Sequence, residues 1–217
     1  NNAKTSGGAL YWKPDNAASN LTVSDSQFLS NVAGSTGGAL YLDNAGQVTV
    51  TDSTFQRNSA DDGGAGYLNS LASMTALRND FCLNQADDSS GGGNGAALYL
   101  NEVSATTTAN LRNNTFVENT AGGDGGGVWV QNQSLDLINN HFLGNSADYG
   151  GGVRVTGATI QFRNNLVAWT QAGSGVYATL VGATFNYNAY YSNTSDHLSG
   201  VALGGHSRDQ DGLGETP

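Results

Sequence analysis

Apolar and polar residues alternate with a period of two along short segments, and these segments recur at a regular spacing. Val48 and Val50, for example, alternate with Thr49 and Thr51. This alternation is typical of β-strands that bury one face, and no helical period competes with it. The pattern therefore predicts short strands joined by turns that are rich in Gly, Asn, Asp and Ser.

Two sequence phrases repeat along the chain and interleave. The first, paired glycines or alanines and then a strand, occurs at residues 7–11, 37–41, 63–67, 96–99, 126–129 and 151–154, and as Gly-Ser-Gly before the strand at residues 173–177. The second places Asn three positions after Phe, at Phe28/Asn31, Phe55/Asn58, Phe81/Asn84, Phe116/Asn119 and Phe142/Asn145, and continues at Val167/Thr170 and Tyr190/Asn193. Successive Phe positions are 27, 26, 35, 26, 25 and 23 residues apart, with an insertion at residues 87–93 in the longest repeat.

Repeats of this length predict an all-β solenoid, a parallel β-helix of about seven coils with 23–35 residues each. At about 4.8 Å per coil the helix would be roughly 33 Å long. The inward position before each Phe should form a buried column of Val23, Val50, Ala76, Leu111, Leu137, Phe162 and Phe185. The Asn that follows each Phe should stack on its neighbours at a turn, and the paired glycines should form a tight corner.

Residues 1–203 are predicted to form one β-helix domain, and residues 204–217, where the repeat is lost, a loop or linker. Asn1 has the same register as Asn31, so we expect the chain to begin in mid-coil as a fragment of a longer protein.

Composition excludes several classes of protein. A single cysteine among 217 residues cannot form a disulfide scaffold. A net charge of −10 with only 8 Lys and Arg argues against nucleic-acid binding. No apolar run approaches the roughly 18 residues of a membrane span.

The alternation of Gly-Gly-Ala plus aliphatic with Phe-x-x-Asn resembles the repeats of chlamydial polymorphic membrane proteins and related bacterial β-helix surface proteins. Gly-Gly-Ala is intact at residues 7–9, 37–39 and 63–65, Phe-x-x-Asn is intact five times, and the resemblance covers about residues 1–193. The resemblance implies a right-handed helix, export to the bacterial cell surface or medium, and a role in adhesion or as a scaffold.

The candidate ligand-binding residues form an outward aromatic column, interrupted by Arg154: Tyr11, Tyr41, Tyr67, Tyr99, Trp129 and Tyr177. Aromatic rings in a row could support sugar faces or a partner protein, because they offer a large contact area with few rotatable bonds. The alternative interpretation is that the stacked rings only stabilise the sheet.

The candidate metal ligands are aspartates in the turns before the glycines: Asp61, Asp62, Asp87, Asp88, Asp124 and Asp148. Several carboxylates at one corner could hold Ca²⁺, which takes six to eight oxygen ligands. Solvated turns explain the same residues, and the spacing matches no EF-hand pattern. We expect no other cofactor.

The candidate catalytic residues are Asp25, Asp52, Asp136, His141, Arg112 and Arg163. Asp25 and Asp52 occupy equivalent positions in adjacent coils, so the pKa of one carboxyl should be raised by the other. A polysaccharide lyase or epimerase needs a base, an acid and a cationic group, and these residues include each type. Turn and solubility roles explain the same residues without a catalytic site.

The sequence favours a non-catalytic extracellular or cell-surface module with an adhesion, glycan-binding or scaffold role. Its expected partner is a glycan, or a protein on the surface of a host or neighbouring cell. One alternative is a polysaccharide lyase or epimerase. Another is a filament subunit that associates with itself through the ends of the solenoid.

Overall fold

The structure is a computed structural model that describes residues 1–16, 18–101, 108–132, 134–157, 159–179, 182–200 and 208–209. Within these residues the chain forms 28 β-strands arranged in four parallel sheets. This described part contains no helix that is long and apolar enough to cross a membrane.

The strands follow one another coil by coil. The first three coils contain β1 (Asn2–Ala3), β2 (Leu10–Trp12), β3 (Leu21–Ser24), β4 (Gln27–Leu29), β5 (Val32–Ala33), β6 (Leu40–Asp43), β7 (Gln47–Thr51), β8 (Thr54–Gln56), β9 (Ser59–Ala60), β10 (Gly66–Asn69), β11 (Ser73–Leu77) and β12 (Asp80–Cys82). The fourth and fifth contain β13 (Gln85–Ala86), β14 (Leu98–Asn101), β15 (Thr108–Arg112), β16 (Thr115–Val117), β17 (Thr120–Ala121), β18 (Val128–Gln131), β19 (Ser134–Ile138) and β20 (His141–Leu143). The remaining strands are β21 (Val153–Thr156), β22 (Thr159–Arg163), β23 (Leu166–Ala168), β24 (Val176–Thr179), β25 (Gly182–Asn186), β26 (Ala189–Tyr191), β27 (Leu198–Ser199) and β28 (Arg208–Asp209).

Each coil contributes its strands to the four sheets in a fixed order. Sheet 1 contains β1, β5, β9, β13 and β17, and sheet 2 contains β2, β6, β10, β14, β18, β21, β24 and β27. Sheet 3 contains β3, β7, β11, β15, β19, β22 and β25, and sheet 4 contains β4, β8, β12, β16, β20, β23, β26 and β28. Neighbouring coils pair residue for residue, as in Phe55 with Phe81. The predicted all-β parallel β-helix of about seven coils is confirmed.

The core consists of stacked columns, one residue per coil. The phenyl rings of Phe28, Phe55, Phe81, Phe116 and Phe142 stack with successive centroid distances of 4.7, 4.9, 4.9 and 4.7 Å. The predicted column before each Phe lines sheet 3, and Val50, for example, is buried and paired with Ala76.

A ladder of buried asparagine side chains follows the Phe column, as predicted. Asn84 shows the pattern: its Nδ2 donates to Oδ1 of Asn119 at 2.9 Å and to the backbone oxygen of Phe55 at 2.9 Å. The backbone N–H of Asn84 donates to the same Oδ1 at 3.0 Å. The amide of Asn84 therefore binds the coils on both sides of it, and satisfies groups that would be costly to bury unpaired.

A second buried asparagine ladder, which the sequence analysis missed, runs two residues before the Phe column. It consists of Asn79, Asn114, Asn140, Asn165 and Asn188. Nδ2 of Asn114 donates to Oδ1 of Asn140 at 3.1 Å and to the backbone oxygen of Ala76 at 3.0 Å. The signal in the sequence was the Asn that stands two positions before each Phe position from Asn79 onward.

The corner residue before each ladder has a left-handed backbone. Between sheets 3 and 4, at what we call the 3–4 corner, these residues are Asp25, Asp52, Arg78, Asn113, Asn139, Asn164 and Tyr187. Between sheet 4 and sheet 1 of the next coil, at the 4–1 corner, they are Ser30, Arg57, Leu83, Glu118, Gly144, Trp169 and Ser192. Corner side chains point outward, so these two columns are available for contact with solvent or a ligand.

The paired glycines are required by the close approach of successive coils. A Cβ on Gly38 would lie 2.1 Å from the backbone oxygen of Gly64, and Gly37 has φ of +67°. Of the predicted linker at residues 204–217, the structure describes only Arg208–Asp209, which pair with β26. The rest of that segment, and the predicted boundary at residue 203, lie outside the described residues.

Candidate functional site

The predicted aromatic column lies on the outer face of sheet 2, and the parallel register brings its residues together. Tyr11 and Tyr41 have ring centroids 4.9 Å apart at an interplanar angle of 9°, and Tyr41 and Tyr67 are 5.7 Å apart at 5°. These rings therefore cover one another's faces and direct their edges outward. Tyr11 ends the column and is 54% exposed, whereas Tyr99 is only 7% exposed.

The column continues across the later coils with changes in ring orientation. Tyr99 is perpendicular to Tyr67 at 4.8 Å, and Trp129 is tilted by 31° against Tyr99 at 4.1 Å. Arg154 interrupts the aromatic series as predicted, and its guanidinium carbon lies 4.0 Å from the ring centroid of Tyr177. This cation–π contact continues the stack to the last predicted member.

A column of polar side chains, which the sequence analysis did not single out, runs beside the aromatic column. Nδ2 of Asn69 donates to Oδ1 of Asp43 at 2.8 Å, and Nδ2 of Asn101 donates to Oδ1 of Asn69 at 3.0 Å. Nζ of Lys13 lies 2.6 Å from Oδ2 of Asp43. Burial opposes ionisation of Asp43, but the hydrogen bonds from Lys13 and Asn69 outweigh it and lower the pKa of this carboxyl.

Phenolic hydroxyl groups connect the two columns. The hydroxyl of Tyr99 donates to Oε1 of Gln131 at 3.0 Å, and the hydroxyl of Tyr41 donates to Oδ2 of Asp43 at 3.4 Å. A ligand on this face would therefore meet ring edges at Tyr11, Tyr41 and Tyr67 and the polar column beside them, whereas Tyr99 is nearly buried. Tyr11, at the start of the column, has a single aromatic neighbour there, Tyr41.

The predicted acidic turns are distributed over four successive coils. Oδ1 of Asp62 accepts from the backbone N–H of Asn94 at 2.9 Å and from its Nδ2 at 3.0 Å, and burial raises the pKa of Asp62. Burial also raises the pKa of Asp124, although Arg154 lies 3.4 Å away and opposes the rise.

Asp88 accepts hydrogen bonds from the backbone of its own turn, at Ser90 and Gly92. The described residues contain no group of three or more His, Cys, Asp or Glu arranged to hold a metal ion. Calcium binding by Asp61, Asp62, Asp87, Asp88, Asp124 and Asp148 stays a prediction.

Asp25 and Asp52 lie at the 3–4 corner in adjacent coils, but the pKa of Asp52 is lowered rather than raised. The cause is Arg78, which occupies the same corner one coil later. Its Nε and Nη2 donate to the two carboxylate oxygens of Asp52 at 2.6 and 2.7 Å. This bidentate pair engages Asp52 and makes it a weak candidate for a general acid or base.

The other catalytic candidates are divided between two faces. Arg112, Asp136 and Arg163 lie on the outer face of sheet 3, where Nη2 of Arg112 is 3.6 Å from Oδ2 of Asp136. His141 lies on the outer face of sheet 4 and is exposed. The topology therefore distributes the six candidates over two sheets and the corner between them.

A notch at the 4–1 corner is the other candidate site, and the sequence analysis missed it. It has a volume of about 460 Å³ and is lined by Val117, Glu118, Leu143, Gly144, Trp169 and Gln171. The signal in the sequence was Gly144, the one glycine in the described series of 4–1 corner residues.

A family model described as "right handed beta helix region" matches residues 2–167, which is more than half of the chain. No curated protein matches the chain at a significant level. No solved structure matches it at that level. The family match agrees with the parallel sheets and the coil-by-coil register described above. The chain therefore belongs to the family of right-handed β-helix proteins.

Proposed function

We propose that this chain is a non-catalytic, extracellular β-helix module that binds a neutral glycan along the outer face of sheet 2. The observation that carries the proposal is the pair of adjacent columns on that face, one aromatic and one polar. The polar column contains the chain of hydrogen bonds from Lys13 through Asp43 and Asn69 to Asn101. Repeated hydroxyl and amide groups at one coil spacing suit a repetitive polymer with many hydroxyl groups.

The rigidity of the rod supports this role. Two buried asparagine ladders and the stacked Phe column restrict the relative movement of neighbouring coils. A rigid array can sum many weak contacts without the entropy loss that ordering a flexible surface would cost. The net charge of −10 favours a neutral glycan over a polyanionic one.

The resemblance to chlamydial polymorphic membrane protein repeats supports a bacterial cell-surface or secreted location for the module. In that setting, the glycan would belong to a host or neighbouring cell, and adhesion would be the biological role. The distribution of the catalytic candidates over two faces supports binding in preference to cleavage.

The test compares two double variants in the same two coils. Tyr41→Ala with Tyr67→Ala alters sheet 2, and Thr49→Ala with Thr75→Ala alters the outer face of sheet 3. Affinity gel electrophoresis with neutral and acidic polysaccharides, with and without Ca²⁺, measures binding. We expect at least tenfold weaker binding of a neutral polysaccharide by the tyrosine variant only.

The melting temperature of each variant is measured in parallel. Because Tyr41 and Tyr67 stack on each other, their loss should cost about 1–3 kcal/mol of stability, and binding must be measured well below the melting temperature. Equal affinity of the two variants would refute a role for sheet 2. Shortening of any polysaccharide by the wild-type chain would refute the non-catalytic assignment.

A further inference from the structure

The notch exists because one corner residue has no side chain. Glu118, Gly144 and Trp169 occupy the 4–1 corner in three successive coils, and all three have a left-handed backbone. Glu118 and Trp169 are therefore two coil spacings apart, which is roughly 10 Å. The missing side chain of Gly144 leaves an open space between a carboxylate and an indole.

The walls of this notch combine one aromatic surface with two polar groups. Trp169 forms one wall and is 53% exposed, and Glu118 forms the opposite wall. Val117 and Leu143, from the outer face of sheet 4, provide an apolar floor, and Gln171 borders the notch from the sheet 1 side. A concave site with apolar walls and a few placed polar groups has the usual composition of a small-molecule site.

The orientation of Trp169 is fixed from the side away from the notch. Tyr191, in the next coil, packs against it with a centroid distance of 5.9 Å and an interplanar angle of 86°. In contrast, the indole N–H groups of Trp12 and Trp129 are buried. Trp169 therefore offers a positioned, accessible aromatic surface on the notch side.

Packing within the fold, through Tyr191, covers only part of the indole at this position. Trp169 has φ of +57°, a conformation that costs a bulky residue on the order of 1 kcal/mol or more. Half of its surface also remains in water. Ser30 and Ser192 occupy the same corner position in other coils, so the fold itself does not require an aromatic residue there.

We propose that the notch binds one pyranose residue of a neutral saccharide whose ring substituents are mostly equatorial. Such a ring has an apolar C–H face, which would stack on the indole of Trp169. Its hydroxyl groups would donate to the carboxylate of Glu118 and hydrogen-bond with the amide of Gln171. A purely apolar ligand would desolvate Glu118 without replacing its hydrogen bonds, and an anion would be repelled by it.

This site lies at the 4–1 corner and not on sheet 2, so it does not depend on the function proposed above. Exposed tryptophan is the spectroscopic probe: cellohexaose, xylohexaose, mannohexaose and chitohexaose are titrated separately into the full chain while tryptophan fluorescence is recorded. We expect at least one of them to give a saturable change. Trp169→Ala should abolish that change.

A second variant fills the notch while keeping every proposed contact group. A Cβ on Gly144 would lie 3.3 Å from Cγ of Glu118 and 3.8 Å from Nε2 of Gln171. Gly144→Asn is suitable because Asn139 and Asn164 already adopt positive φ in this chain. We expect Gly144→Asn to raise the Kd at least tenfold with an unchanged circular dichroism spectrum. Glu118→Gln should weaken binding less than Gly144→Asn, because its amide oxygen still accepts.

The double variant Thr49→Ala with Thr75→Ala, on the outer face of sheet 3, is the control and should keep the fluorescence response. The proposal is overturned if none of the four saccharides changes the fluorescence at millimolar concentration, or if Gly144→Asn binds as tightly as the wild-type chain. It is also overturned if tetramethylammonium chloride gives the same Trp169-dependent response, which would indicate a cation site. A response that accompanies dimerisation in analytical ultracentrifugation would indicate an interface and would overturn it as well.

Discussion

Removal of one amide from the middle of an asparagine ladder should destabilise the whole β-helix. The side chain of Asn119 is fully buried and takes part in four hydrogen bonds. Its Nδ2 donates to the backbone oxygen of Phe81 at 3.0 Å and to Oδ1 of Asn145 at 2.9 Å. Its Oδ1 accepts from the backbone N–H and the Nδ2 of Asn84 at 3.0 and 2.9 Å.

The variant Asn119→Ala removes all four bonds, and the backbone N–H of Asn84 loses the acceptor that Oδ1 provided. At about 1 kcal/mol for each bond, and more for a buried group left unpaired, we expect a loss of about 3–5 kcal/mol. This is a large part of the roughly 5–15 kcal/mol that stabilises a typical domain. Urea unfolding followed by circular dichroism measures the change in the free energy of unfolding.

The same substitution at the end of the ladder provides the control. Oδ1 of Asn31 accepts only a 3.4 Å contact from the N-terminal amine, and its Nδ2 donates to Oδ1 of Asn58 at 2.9 Å. Asn31→Ala should therefore cost about 1 kcal/mol. If Asn119→Ala costs no more than Asn31→Ala, the four hydrogen bonds of Asn119 do not stabilise the rod.

Three further predictions concern single positions. Thr170 occupies a ladder position between Asn145 and Asn193. Thr170→Asn should therefore raise the free energy of unfolding, measured by urea unfolding, by about 1–2 kcal/mol. A decrease would show that the corner has no room for the amide. Because burial raises the pKa of Asp62, its ionised form opposes folding. Asp62→Asn should therefore raise the melting temperature at pH 7. The gain should vanish below pH 3, where Asp62 is protonated in both the folded and the unfolded state. Arg78→Ala should leave the melting temperature nearly unchanged, because the ion pair of Arg78 with Asp52 is exposed. The same variant should raise the pKa of Asp52 in an NMR titration. An unchanged pKa would show that Arg78 does not lower the pKa of Asp52.

The sequence predicted the fold well because each coil repeats the same positions. The spacing of Phe55, Phe81 and Phe116 determines the register, and the register then places every column. The second asparagine ladder was missed because doublets such as Asn113-Asn114 are ambiguous. One Asn of each doublet points outward with a left-handed backbone and the other inward, and composition does not distinguish them.

The candidate site was less predictable than the fold. The register showed that Tyr41 and Tyr67 are neighbours, but ring orientation depends on side-chain rotamers, so the face-to-face stacking was not foreseen. Arg78 stood in the sequence at the position equivalent to Asp52, so the proximity of the two side chains could have been inferred from register, although their bidentate geometry could not. The notch depends on which corner position Gly144 occupies, and this emerges only once the coil boundaries are known.

The two asparagine ladders give the rod a direction. In both, every side-chain N–H that bonds along the ladder points to the next coil in the chain, as from Asn58 to Asn84 and from Asn114 to Asn140. The amide dipoles are therefore aligned and add along the axis, as peptide dipoles do in an α-helix. One end of the rod carries excess partial negative charge from amide oxygens, and the opposite end carries partial positive charge from N–H groups. A coil that extends a ladder must supply donors at the first end and acceptors at the second, so only head-to-tail stacking preserves the polarity.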